Sequence, residues 1–188
     1  LLLIASQSFG QVTNTQTKKK LLDFGWNSPY TFELRNKLKK YEIGVFDGLG
    51  IKIPKYAGAG NVFMVNDLRT LSPDSMNYEL ELADKTPQSK ILTDNFVVIY
   101  GGSQMDWFSD EDWDVAEKQI RFSAKLAKAL HCKGVLWDAE PYKTEKNPWK
   151  YPEQPFANKY TYEEYYSRVR QRGAQFINAL QEEFPDLI

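Results

Sequence analysis

From Leu21 onward, short apolar runs alternate with longer amphipathic ones, the pattern expected of repeated βα units. Leu21 to Phe24 reads as a first strand ending at Gly25-Trp26-Asn27. Ser28 offers an N-cap with Pro29 at the first helical position, so a helix is expected to run to about Tyr41. Ile43 to Phe46 reads as a second strand ending at Asp47-Gly48. Between Leu49 and Asn95 the pattern is weaker, with a Gly/Ala turn at Gly58 to Gly60, a strand at Val62 to Val65 and a helix from Asp74 to Ala83. That stretch is longer than a plain βα connection, so it is expected to carry an insertion.

Phe96 to Tyr100 reads as a buried strand closed by Gly101-Gly102-Ser103. Ser109 with Asp112 resembles a capping box, and the helix beyond it places Trp113, Ala116, Ile120, Ala124, Ala127 and Leu130 on one apolar face. Lys133-Gly134 is expected to stop that helix just before a strand at Val135 to Trp137. A loop rich in Pro, Tyr, Trp and Lys follows from Pro141 to Lys159. Thr161 with Glu164 forms a second capping box, opening a helix with Tyr165, Val169, Phe176, Ile177, Leu180 and Phe184 near its apolar side. Pro185 to Ile188 reads as a turn into a next strand. Four βα units are about half of an eight-stranded barrel, whose usual length is about 250 residues. The expected fold is therefore α/β, the N-terminal half of a (β/α)8 TIM barrel over residues 21–188, truncated before its fifth strand, with the C-terminal half of the barrel as its missing partner. A complete small open α/β sheet is the alternative.

The chain has 188 residues, of which 42% are hydrophobic and 26% charged, a balance suited to one globular domain. Its 24 basic and 25 acidic residues leave a net charge of -1, so no global field favours nucleic acid or an anionic membrane. Lys18-Lys19-Lys20 and the cluster of Lys37, Lys39 and Lys40 read as solvated faces. Cys132 is the only cysteine, so no intrachain disulfide can form. His131 beside it is the only histidine, and neighbours on a helix do not face one another, so neither a Cys-His nucleophile nor a zinc site is expected. Residues 1–10 resemble the tail of a signal-peptide apolar region and 11–20 a polar linker. They imply a secreted or periplasmic protein, and no segment has the length of a membrane span.

The chemistry concentrates at Trp137-Asp138-Ala139-Glu140-Pro141-Tyr142, where an apolar strand ends in two carboxylates one residue apart. Were the strand to continue through them, both would lie on one face. In a barrel the strand ends converge, which would assemble Trp26, Asn27, Asp47, Tyr100 with Ser103, Trp137, Asp138, Glu140 and Tyr142 at one mouth. Acids that protonate a glycosidic oxygen, and rings that stack on sugar faces, suit a carbohydrate. Asp47-Gly48 reads rather more readily as a simple turn, and Asn27 is also readable as part of the helix start.

The segment Asp138-Ala139-Glu140-Pro141-Tyr142 resembles the fourth-strand signatures of glycoside hydrolase barrels. It is similar to the chitinase type, where acids alternate along the strand end, although Leu136 stands where that family has its earlier Asp. Glu140-Pro141 is also similar to the Asn-Glu-Pro of the large retaining superfamily, with Ala139 in place of the Asn. Both resemblances imply that Glu140 is the general acid, with its pKa raised by Trp137, Tyr142 and the apolar strand. The chitinase-type one gives Asp138 the helper's part. The expected function is glycan hydrolysis by carboxylate acid catalysis, with no cofactor and no metal. The alternative is a non-catalytic carbohydrate-binding surface protein, stacking sugars on Trp149, Tyr151, Phe156 and Tyr160. A hydrolase using Asp47, Asp138 and Glu140 as metal ligands ranks below both.

Overall fold

A computed structural model describes residues 19–54, 72–101, 106–140, 147 and 149–188. The elements run β1 (Leu22–Asp23), α1 (Thr31–Tyr41), β2 (Gly48–Lys52), α2 (Pro73–Ala83), β3 (Phe96–Tyr100), α3 (Asp110–Ala129), β4 (Gly134–Asp138) and α4 (Tyr162–Glu183), with a 3-10 turn at Tyr151–Glu153. The strands form one sheet in the order β1-β2-β3-β4, and every pairing is parallel. This is the order and connectivity of half a (β/α)8 barrel. The turn expected at Gly58 to Gly60 and the strand expected at Val62 to Val65 lie outside the described residues.

Register explains the layering. Lys52 pairs with Val98, Val98 with Leu136, and Tyr100 with Asp138, so these side chains share one face of the sheet with Gly50. The intervening residues Leu49, Ile51, Ile53, Val97, Ile99 and Val135 fall on the other face. There they join one apolar cluster with Leu34 of α1, Ala83 of α2, Ile120, Ala124 and Ala127 of α3, and Leu180 of α4. The four helices of the described residues thus cover the same face, as in a barrel and unlike a doubly wound sheet. Burying each Ile of that cluster stabilises the fold by about 1.5–3 kcal/mol. Val98 and Tyr100 are buried on the opposite face and do not belong to the cluster.

Several boundaries differ from the sequence expectation. The N-cap of the first helix is Tyr30, not Ser28, and there the Glu33 side chain reaches back to accept the Tyr30 N–H at 3.0 Å. Ser28 serves the preceding turn, its hydroxyl accepting from the Gly25 N–H at 2.9 Å. The second strand is Gly48–Lys52, not Ile43 to Phe46; Ile43 and Val45 are 85% and 81% exposed. Ser109 caps α3 by accepting from Asp112 N–H, but the Asp112 carboxylate accepts from Asp106 N–H instead of completing a box. That helix ends at His131, not Lys133-Gly134. His131 has φ 54, its N–H donates to the Lys128 carbonyl, and Cys132 N–H donates to the Ala127 carbonyl. This pair of bonds is a Schellman motif with histidine in the left-handed position. The Thr161 and Glu164 box forms as expected, although Ile177 of α4 is exposed and Arg172 is buried. After α4, Ile188 N–H donates to the Lys133 carbonyl at 2.9 Å and its carbonyl accepts from Val135 N–H at 3.2 Å, a parallel rung beside β4.

Candidate functional site

The carboxyl ends of the strands bring together four segments, each positioned by its own local chemistry. After β1 the chain turns through Gly25, whose φ of +129 suits glycine alone, and leaves the Trp26 ring 95% exposed. It then runs beside β2, with Lys52 N–H donating to the Pro29 carbonyl at 2.8 Å and Tyr30 bridging to Lys52. β2 ends at Lys52, whose ammonium donates to the Trp26 carbonyl at 3.2 Å and lies 4.8 Å from the centre of the Tyr30 ring. β3 ends at Tyr100 and β4 at Asp138, and Gly101 N–H donates to the Asp138 carbonyl at 2.7 Å, tying the two ends together.

Tyr100 and Asp138 are paired across the ladder on the face away from the helices. Burial first, and then the negative charges of Asp138 and Glu140, push the Tyr100 hydroxyl up to about 12. It stays protonated well beyond the neutral range. The strand does not continue to Glu140. Asp138 Oδ1 accepts the Glu140 N–H at 3.0 Å, so the two carboxylates are related by a turn and Glu140 stands exposed beyond it.

Other expected members fall elsewhere. Asp47 precedes β2, so it sits at the amino ends of the strands, opposite Asp138. There its carboxylate accepts the Leu21 N–H at 2.9 Å and lies 3.7 Å from the Lys20 ammonium, which also binds Asp94 at 2.8 Å. The set Asp47, Asp138 and Glu140 is therefore not assembled, and no group of three potential metal-ligating side chains occurs among the described residues. Trp137 shares the helix-side face with Ile99. Its ring covers Gly101 and meets Phe176 of α4 edge-on at 4.8 Å, so it flanks Glu140 from the wrong side of the sheet to enclose it. Asn27 is exposed in the turn after β1, ahead of the helix start. Tyr142 and Ser103 lie outside the described residues.

The loop aromatics pack against neighbouring segments, although Trp149 and Phe156 each stay 41% exposed. Trp149 donates its indole N–H to the Ala139 carbonyl at 2.6 Å and leans on Trp107 at 5.4 Å, bracing the segment between the two acids. Tyr151 donates to the Ala157 and Tyr160 carbonyls, and Tyr160 stacks on Phe108 at 3.8 Å. An open groove of about 540 Å³ beside α4, lined by Phe108, Tyr160, Glu163 and Arg168 among others, contains none of the strand-end acids. His131 is spent on the helix end. The Cys132 thiol, pushed up to about 12 by burial, is no nucleophile.

Sequence reasoning missed Lys52 and Tyr30. The signal for Lys52 was present, as the one charged residue within the apolar run Leu49 to Ile53, but a second strand placed too early hid it. No family model matches this chain, and neither a curated protein nor a solved structure does.

Proposed function

We propose that the protein is a secreted glycoside hydrolase in which Glu140 is the general acid and Asp138 orients it. The supporting observation is the grouping of Tyr100, Asp138 and Glu140 at adjacent strand ends, on the sheet face opposite the described helices. A glycosidic oxygen reached by the exposed tip of Glu140 would take its proton as the bond to the anomeric carbon breaks. The ring of Tyr100, on the same face, would wall the acids from the neighbouring strand end. Asp138, accepting the Glu140 N–H, fixes the backbone from which that acid projects.

A carbohydrate-binding protein without catalysis is the second reading, favoured by the Trp26 ring, almost fully exposed beside the same mouth. Release of reducing ends from a panel of polysaccharides, by the protein as its host produces it, separates the two. Glu140→Gln is expected to lower turnover at least about a hundredfold with its circular dichroism unchanged. Unaltered turnover in that variant would remove Glu140 from the mechanism, and saturable binding without reducing ends would leave only the second reading.

A further inference from the structure

Lys52 is a cation held inside the fold with too few partners. Only 8% of the residue is exposed, and its ammonium has three protons to donate. One goes to the Trp26 carbonyl, and the Tyr30 ring offers its π face. The carboxylate that acts on it through space, Glu33, is engaged at the start of α1, where it accepts the Tyr30 N–H. No ion pair to Lys52 forms among the described residues. Burial pulls its pKa below the usual lysine value, and the Glu33 carboxylate offsets this only in part. A buried, unpaired charge is costly, and an apolar side chain of the same length would avoid the cost.

Its place in the ladder says where a compensating anion would come from. Lys52 lies on the same sheet face as Tyr100 and Asp138, at the carboxyl end of β2. Two strand spacings across and two residues along put its Cα roughly 12 Å from that of Asp138. That distance suits a group on a sugar adjoining the cleaved bond, not the bond itself.

We infer that Lys52 recognises an anionic substituent, a carboxylate or a sulfate, on the carbohydrate bound at this mouth. The substrate is then an acidic glycan. The inference rests on the carbohydrate reading of the mouth but not on hydrolysis. The Trp26 carbonyl and the Tyr30 ring hold the ammonium in place, leaving two of its protons for the anion's oxygens.

Binding of galacturonate trimer, sulfated galactose trimer and neutral cellotriose, followed by tryptophan fluorescence, tests it. At least one acidic trimer is expected to bind tenfold or more tightly than cellotriose, and which one does separates carboxylate from sulfate. Lys52→Met should abolish that preference, and Lys52→Arg should retain part of it. Equal affinity for the acidic and neutral trimers, or binding of none, overturns the inference even if neither Lys52 variant folds. Hydrolysis of neutral glycans without such a preference would sink the role of Lys52 and spare the hydrolase. Lys52-dependent binding without reducing ends would do the reverse.

Discussion

His131 shows how a residue that looks chemical can be fully absorbed by backbone geometry. It occupies the left-handed position that ends α3, where an L side chain costs about 1–2 kcal/mol and glycine costs almost nothing. The two bonds of the motif survive any side chain, since both are made by backbone groups. His131→Gly is therefore expected to stabilise the protein by about 0.5–1 kcal/mol, after allowance for the extra freedom glycine gives the unfolded chain. His131→Val should destabilise it, because a β-branched residue tolerates this conformation least. Urea midpoints of the two variants on either side of the parent would bear this out. If His131→Gly were no more stable than the parent, the left-handed geometry would not be the reason for the stop.

Between elements, Arg172 performs the corresponding task for α4. From the buried side of that helix its guanidinium donates to the Trp107 and Ser109 carbonyls and to the Asp110 carboxylate, and it lies 5.1 Å from the centre of the Trp113 ring. A planar fork satisfies these acceptors together, whereas a lysine offers one point of charge. Arg172→Ala should cost about 2–4 kcal/mol and Arg172→Lys somewhat less, measured by chemical unfolding. A loss below about 0.5 kcal/mol for Arg172→Ala would show that the loop before α3 is held by its aromatics alone. Legibility from sequence divides along similar lines. β3, α3 and α4 were readable because their apolar residues recur at strand or helix spacing against the core. β2 was not, because two of its five residues are glycines with little apolar signal of their own. Space demands them: a Cβ on Gly48 would strike the Asp94 backbone, and one on Gly50 would crowd Phe24 and Val98. The nearby run Ile43 to Phe46 supplied a more attractive alternation, although Ile43 and Val45 point to solvent. That shift carried Asp47 to the wrong end of the sheet and concealed Lys52 at the right one. Trp137 was misplaced by pleat alone, since one residue of difference from Asp138 reverses the face.

For the whole molecule, burial of protonated groups predicts a limit on the alkaline side. Tyr100 and Cys132 are both pushed up to about 12 by burial, from ordinary values of 10.0 and 9.0. An unfolded chain would release these protons near the ordinary values, while the folded chain retains them. Their contribution to stability is thus complete below pH 9 and is lost as pH rises through that interval toward about 12. Lys52 acts in the opposite sense, because burial lowers its pKa, so the unfolded chain holds that proton longer and the folded state gains as pH approaches 10.5. At about 1.4 kcal/mol per pKa unit the two raised groups alone give a loss on the order of 5 kcal/mol by about pH 11.5, comparable with the whole stability of a small domain. Urea midpoints measured from pH 8 to 11.5 should therefore fall steeply above about pH 9. Cys132→Ala should remove the earlier part of the fall and Tyr100→Phe the later part. Lys52→Met should make it steeper, since the opposing contribution disappears. An alkaline limb identical in all three variants would mean that the interior does not hold these groups as described, and the site face would then be open to water where Tyr100 lies.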